Sequence, residues 1–385
     1  MVELAIWRDW NNSTTVMSTK TNSNSMNTAR PAGQAVVASV GQTAEVFLGI
    51  DVAKRLQTVA RFVPGEGVKP AEKMSAPTLL KRVAALRQAG VRVHCVYEAG
   101  PTGFALARRL IELGADCLVV RPKRLDRYGR RRKNDPKDAH YLAEDLAAHH
   151  HGRRGLLCPV RLPTVQEELR RLPVRERDTL KKSRQQLLNS AKGRALALGC
   201  VLPKQWWRPR VLPQALENLP EALASLLRRA AAAASALAEQ IAAVEEALTA
   251  EPIAAPKGVG ALTVAVLERE VCAWERFNNH RQVGSFAGLC PSEDSSGERV
   301  RRGQIDKHGN PRLRYWCQEL SWRLLKWQPG YAAVRWARER MREANPTRCK
   351  QLSVALARRF LVDWWRIRTG RTTCAALGLT FKPAG

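Results

Sequence analysis

Apolar and polar positions follow two different rhythms along this chain, and the change of rhythm divides it. Residues 1–44 are rich in Ser, Thr, Asn and Ala and repeat neither as a helix nor as a strand, which predicts a disordered tail, with Met17 or Met26 as alternative starts. Residues 46–50 form a short apolar run that predicts a buried strand carrying Asp51 at its end. Residues 57–63 predict its antiparallel neighbour, because Ala53-Lys54-Arg55 is only turn-length. Helical spacing over 77–88 closes at Gly90, and a second strand over 91–97 leads into Glu98 and a Gly-Pro-Thr-Gly turn. A helix over 104–113 and a buried strand over 117–120 complete the pattern. Alternating strands and helices predict an α/β unit over 45–155, a layered sheet with helices on its faces.

From Thr164 the rhythm is helical. Leu169, Leu172, Leu180, Leu187, Ala191 and Leu198 form one stripe, and Leu223, Leu227, Ala230, Ala234, Leu237, Ile241, Val244 and Leu248 a second, with a Trp- and Pro-containing break between them. This predicts a helical spacer over 160–250, either an internal hairpin or a dimerising coiled coil, kinked at Pro173. Residues 251–370 predict a mainly helical, basic region, and 371–385 a tail. Its last helix has Thr347 as the expected cap and Leu352, Ala355, Leu361 and Trp364 on one apolar side. Six of the eleven tryptophans lie between Trp316 and Trp365, at helical spacing among Leu and Ala, so core packing is favoured over base stacking.

Charge changes the picture most. With 64 Lys and Arg against 35 Asp and Glu, the formal net charge is +29, which a compact surface holds only against a polyanion. No uncharged apolar run reaches the roughly 18 residues of a membrane span, so nucleic acid is the expected partner. Nine scattered cysteines without a CxxC pair read as reduced thiols, and no secretory signal opens the chain, so the protein is expected inside the cell.

Asp51 and Glu98 each end an apolar strand, and Asp135 and Asp138 stand three apart at a helix start, with Pro136 in its first turn. Four such carboxylates at one sheet edge could hold a pair of hard divalent cations, Mg2+ or Mn2+. Each is equally a turn or cap residue taken alone. Between Arg121 and Lys133 the chain carries eight basic residues, Arg121, Lys123, Arg124, Arg127, Arg130, Arg131, Arg132 and Lys133, against the single acid Asp126. Beside a candidate metal site this run reads as a phosphate grip. Lys257-Gly258-Val259-Gly260 before an apolar helix resembles a Gly-rich hairpin that offers backbone N–H groups to a phosphate. Ser295-Ser296-Gly297 reads as a polar loop ringed by Arg299, Arg301, Arg302, Lys307, Arg312 and Arg314, a frame for a nucleophilic or phosphate-binding serine. His149-His150-His151 lacks a Cys or Asp at ligand spacing and reads as a solvated helix cap. His140 and His308 read as phosphate contacts or surface residues.

Gly49-Ile50-Asp51-Val52-Ala53-Lys54, Tyr97-Glu98-Ala99-Gly100, Asn134-Asp135-Pro136-Lys137-Asp138-Ala139 and the block from 286 to 314 stand in one order. In these blocks, across residues 45–370, the chain resembles the DEDD-type insertion-sequence transposases, the family that includes the Piv-type DNA invertases. The resemblance implies an N-terminal ribonuclease-H-like (Holliday-junction-resolvase-like) domain, a coiled-coil spacer and a C-terminal transposase domain. It implies that Asp51, Glu98, Asp135 and Asp138 bind metal and that Ser296, or Ser295 in a register shifted by one, attacks a DNA phosphate. It further implies a structured guide RNA pairing with donor and target DNA, a tetramer (a dimer of dimers) with shared sites, and a nucleoid-associated place in the bacterial cytoplasm. The alternatives are a metal-dependent nuclease or junction resolvase in which the serine only contacts DNA, and a non-enzymatic nucleic-acid binder.

Overall fold

The computed structural model describes residues 44–122, 135–251, 253–296 and 299–381. They form two compact units that divide between Pro163 and Thr164. All but the last residue of the tail expected over 1–44, and the basic residues Lys123 to Lys133, lie outside the described residues.

The first unit runs β1 (Glu45–Asp51), β2 (Leu56–Val63), β3 (Gly67–Ser75), α1 (Ala76–Gln88), β4 (Arg92–Glu98), α2 (Ala105–Glu112), β5 (Asp116–Val120) and α3 (Asp135–His150). The sheet order is β3-β2-β1-β4-β5. β1 pairs antiparallel with β2 and parallel with β4, and β5 continues parallel beyond β4. The expected strands and helices are present, and β3 is an addition. Its sequence, with Lys69, Pro70, Glu72 and Lys73, has no apolar alternation because it is an edge strand, where a proline and charges blunt unwanted pairing.

Strand alternation assigns the two faces. Leu48, Ile50, Cys95 and Tyr97 pack against Leu79, Val83 and Leu86 of α1 and Ala107 and Leu110 of α2. On the other face Phe47 and Val96 meet Leu142 and Leu146 of α3. Each of those leucines contributes about 2 kcal/mol by burial. Gly49 shares that second face, and α3 lies directly on it: a Cβ there would stand 2.1 Å from the Ala139 carbonyl oxygen and 2.4 Å from the Ala143 nitrogen.

The second unit holds α4 (Val165–Ala197), α5 (Leu212–Leu216), α6 (Glu221–Thr249), α7 (Ala261–Val271), α8 (His280–Phe286), β6 (Pro291–Ser296), β7 (Arg299–Ile305), α9 (Pro311–Trp327), α10 (Ala332–Met341) and α11 (Pro346–Arg368). A capping box between Thr164 and Glu167 starts α4, which continues through Pro173. Leu188, Ala191 and Ala195 near its end pack against Leu223, Leu227 and Ala231 near the start of α6. Arg177 near its start meets Glu245 near the end of α6 at 2.6 Å. The two helices are therefore an internal antiparallel hairpin.

The buried stripe of α4 is Val174, Arg177, Leu188, Ala191 and Ala195. Leu169, Leu172 and Leu198, expected in it, are at least half exposed. The expected stripe followed residue type, whereas the helix buries an arginine paired across the hairpin. Truncating Glu245 to alanine leaves Arg177, only 5% exposed, without its hydrogen-bonded carboxylate, with Asp178 at 3.8 Å as its remaining acid. The expected cost is about 2 kcal/mol, read as a lower urea midpoint, with Glu246→Ala on the exposed side as the neutral control.

Val174 and Leu248 of the hairpin join the same core as Trp316, Trp364 and Trp365, so the hairpin base belongs to the C-terminal packing. Those three tryptophans are core residues as expected, while Trp322 and Trp327 are 50% and 43% exposed. The cap of α11 is Asn345, whose side chain accepts from the Arg348 N–H, with Pro346 next. Thr347, the expected cap, stands two residues later, inside the first turn, because proline at the first helical position sets the start. The segment after α11 is docked and not free: Leu379 is buried, and the Lys257 N–H donates to the Thr380 carbonyl at 2.7 Å.

Candidate catalytic and nucleic-acid-binding sites

Asp51 and Glu98 are the last residues of two neighbouring parallel strands, and the register pairs Ile50 with Tyr97 immediately before them. Counting back by twos, Asp51 shares a face with Gly49 and Phe47, and Glu98 with Val96. That is the face α3 covers. Asp138 precedes Ala139 on α3, four residues before Leu142, so it continues the buried stripe of the helix towards the strand ends. Asp135 opens the helix one turn earlier. The close approach at Gly49, two residues before Asp51, is what allows α3 to bring Asp138 down to that sheet edge.

The backbone thus places three carboxylate residues of β1, β4 and α3 at one sheet edge, with the backbone of a fourth one turn away, and carboxylates offer only oxygen donors. Such a set suits a hard cation such as Mg2+ or Mn2+ and suits a soft one poorly. Arg121, the first of the basic run, is exposed just beyond β5. The rest of the run lies outside the described residues.

The serine segment is not a loop. β6 and β7 form an antiparallel hairpin in which Ser295 pairs with Val300 and Ser296 with Arg299, so Ser296 occupies the last rung before the turn. The Ser-Ser-Gly composition signals a turn, and it hides the strand before it. Arg301 and Arg302 belong to the returning strand, opposite Asp294 and Glu293. At the base of the hairpin Gly309 and Gly288 pack backbone to backbone: a Cβ on Gly309 would stand 2.2 Å from the Gly288 nitrogen.

Arg314 donates to the carbonyls of Ala287 at 3.0 Å and Lys307 at 3.1 Å, and Arg312 pairs with Asp178 of α4 at 2.7 Å. Arg314 thus braces the base of the hairpin, and Arg312 ties α9 to α4. Lys307 is exposed, in the left-handed region at φ 59°. Lys257, Gly258 and Gly260 precede α7 and line a recess of about 510 Å³ with Arg323 and Trp327. The Lys257 ammonium lies 5.3 Å from the Trp327 ring centre. Gly258 has φ +85° and abuts the Trp327 side chain, which no other residue type could do without strain.

A larger groove of about 1250 Å³ was not foreseen. Arg348, Lys350, Arg358, Arg359 and Arg366 line it against one acid, Asp363. The signal was available in part, because α11 carries five basic residues from Arg348 to Arg366, with Arg358 opposite the buried Leu352, Leu356 and Phe360 and the others towards its flanks. Arg359 is stacked on Trp336 at 3.9 Å, Arg366 lies 3.4 Å from Asp363 and Arg348 donates to Gln351 at 2.9 Å, while Lys350 and Arg358 complete the basic lining.

The histidine tract extends another expectation. His150 and His151 Nε2 lie 4.0 and 3.8 Å from the Glu45 carboxylate, and the buried His94 lies between Glu45 and Asp116. Burial and the neighbouring His150 push His94 below its ordinary value. His150 and His151 end α3 exposed, as a solvated cap would, and the sheet adds what the sequence did not show, Glu45 and the buried His94 beside them.

Among the described residues no helix is long and apolar enough to cross a membrane. A family model described as "Transposase IS116/IS110/IS902 family" matches residues 250–335, and a transposase model of the IS110 DEDD kind matches residues 48–196. The chain is 30% identical over 364 residues to y4rJ of Sinorhizobium fredii, named as a transposase, covering 83% of this chain and 91% of that one. It is 31% identical over 297 residues to y4qE of the same organism, covering 74% and 73%. The transposase for insertion sequence element IS1111A of Coxiella burnetii is 26% identical over 282 residues, covering 70% and 74%.

Proposed function

Because the chain belongs to the IS116/IS110/IS902 family of transposases, enzymes that act on DNA, we propose that it cuts and rejoins the DNA of its own insertion sequence through a carboxylate site at Asp51, Glu98, Asp135 and Asp138. One observation carries this reading: two carboxylates end adjacent parallel strands on the face where α3 sets Asp138. The strand order β3-β2-β1-β4-β5, three antiparallel strands followed by two parallel ones, supports a ribonuclease-H-like assignment.

These carboxylates would hold Mg2+ or Mn2+, which supplies charge neutralisation at the phosphate under attack. Ser296 acts as nucleophile. Its Oγ forms a bond to phosphorus as the bond to one deoxyribose oxygen breaks, and the hydroxyl proton leaves to solvent or to that oxygen. A deoxyribose hydroxyl of the new partner strand then displaces the serine and restores a diester. Placement of Ser296 on the last rung of a hairpin favours this role, since a rung is more rigid than an open loop. Arg299, Arg301 and Arg302 neutralise the phosphate around it, and Arg314 holds the base of the hairpin in place.

The net charge of +29 and the groove along α11 fit a large nucleic-acid partner, a structured guide RNA as well as donor and target DNA, bound by an oligomer. Reversing Arg348 and Lys350 to glutamate is expected to weaken nucleic-acid binding about tenfold or more at physiological salt. The slope of log affinity against log salt should fall by about 2, with cleavage by any bound fraction retained.

The test of the serine is covalent trapping on a cleaved oligonucleotide duplex. Ser296→Ala should abolish the protein–DNA adduct, and Ser295→Ala should keep it. Cleavage without any adduct in Ser296→Ala would make the protein a metal-dependent nuclease in which the serine only contacts DNA.

A further inference from the structure

The end of α3 remote from Asp138 carries a second polar cluster that the proposed chemistry does not use. Glu45 shares the β1 face of Phe47, Gly49 and Asp51, and His94 shares the β4 face of Val96 and Glu98. His150 stands twelve residues beyond Asp138 on the helix that covers both, about 18 Å along its axis. His94 Nε2 lies 3.8 Å and His150 Nε2 4.0 Å from Glu45 Oε2, and the three ligand atoms fall within 4.8 Å of one another.

Two of these atoms, Glu45 Oε2 and His94 Nε2, are buried and make no hydrogen bond. Leaving such groups unsatisfied is costly, so a buried pair facing one point calls for a missing partner. On the opposite edge of the His94 ring, Nδ1 lies 3.1 Å from Asp116 Oδ2. A carboxylate there fixes the tautomer that turns the Nε2 lone pair towards Glu45, the arrangement that orients metal-ligating histidines.

We propose that Glu45, His94 and His150 form a structural binding site for a divalent transition-metal ion of the Zn2+ type, which pins the far end of α3 to the sheet. Two imidazoles and one carboxylate suit Zn2+ and do not suit Mg2+. With bonds near 2.1 Å, tetrahedral ligand atoms stand about 3.4 Å apart, so the two separations from Glu45 need to close by roughly half an ångström. His151, with Nε2 3.8 Å from Glu45 Oε1, or a water completes the shell. The groups facing the cluster are Asp116, His151 and Arg92. The Arg92 guanidinium is 3.1 Å from Glu45 Oε2 without hydrogen-bonding alignment, and at 52% exposure it is free to swing into solvent as an ion enters.

Because the same helix face ends in Asp138, an ion here fixes the register of α3 over Gly49. The proposal stands independently of the recombination reading.

The experiment uses untagged full-length protein, Zn2+ alone, a chromophoric chelator as competitor, and thermal unfolding. One equivalent of Zn2+ should bind, unaffected by excess Mg2+ and retained in Asp51→Asn. Glu45→Gln and His94→Ala should each weaken binding at least tenfold, and Asp116→Asn about tenfold. Zn2+ should raise the unfolding temperature of the parent and not of those variants. His150→Ala, on an exposed side chain, gives the same answer if the buried His94 variant fails to fold. No uptake by the parent, uptake unchanged in His150→Ala, or uptake lost in Asp51→Asn instead would each overturn the proposal.

Discussion

Gly49→Ala is expected to destabilise the N-terminal unit by about 3 kcal/mol or more and to remove strand cleavage with it. The added methyl would lie 2.1 Å from the Ala139 carbonyl oxygen and 2.4 Å from the Ala143 nitrogen, both backbone atoms of a helix with its own ladder to keep. Neither can rotate away, so α3 must rise from the sheet. Lifting it exposes Leu142, Leu146 and the Ala139 and Ala143 contacts, and it carries Asp138 away from Asp51 and Glu98. Overpacking of this kind commonly costs 1–3 kcal/mol where side chains can adjust, and more where backbone must move, hence about 3. Denaturant midpoints measure the first part and cleavage of a duplex the second. Gly155→Ala, which meets nothing within 4 Å, is the control expected to change neither. An unchanged midpoint in Gly49→Ala would mean that α3 does not lie on the sheet as described.

Asp51→Asn and Asp138→Asn form the complementary pair, with activity lost and the fold kept. Each removes a charge that would hold the cation and leaves the shape unchanged. Cleavage and joining should fall about a thousand-fold, on the order of 4 kcal/mol of barrier. Stability should change little, because the amide keeps the shape of the carboxylate and its capacity to accept a hydrogen bond. Thermal unfolding in chelator, set beside cleavage in Mg2+, separates the two effects. Loss of activity together with collapse of the fold would reassign these residues to structure.

The sequence carried the carboxylate edge because each part of it obeys a local rule. The apolar runs that end in Asp51 and Glu98 are short, unbroken and bounded by turns, and Pro136 marks a helix start. Parallel pairing of β1 with β4 then follows from the helix between them. What sequence rules could not supply was Gly49. A glycine inside an apolar strand reads as a weakness until α3 is seen lying on it.

Edge strand β3 escaped because an edge needs no apolar alternation, and the β6–β7 hairpin escaped because its residues are those of a loop. The α4 stripe was misphased by choosing leucines, when Arg177 at a buried position is held by Glu245 and lies 5.1 Å from the Trp316 ring. The histidine tract needed Glu45 and His94 beside it, and no spacing rule links positions 45, 94 and 150. Only the register of β1 on β4 and the length of α3 do so.

The central claim, that Asp51, Glu98 and Asp138 serve one cation, is tested most directly by anomalous diffraction from crystals of the protein bound to DNA and soaked in Mn2+. An anomalous peak is expected at the ends of β1 and β4, coordinated by carboxylate oxygens of Asp51, Glu98 and Asp138 and lying beside a DNA phosphate. Manganese bound only elsewhere, with those three side chains making no contact to it, would contradict the account.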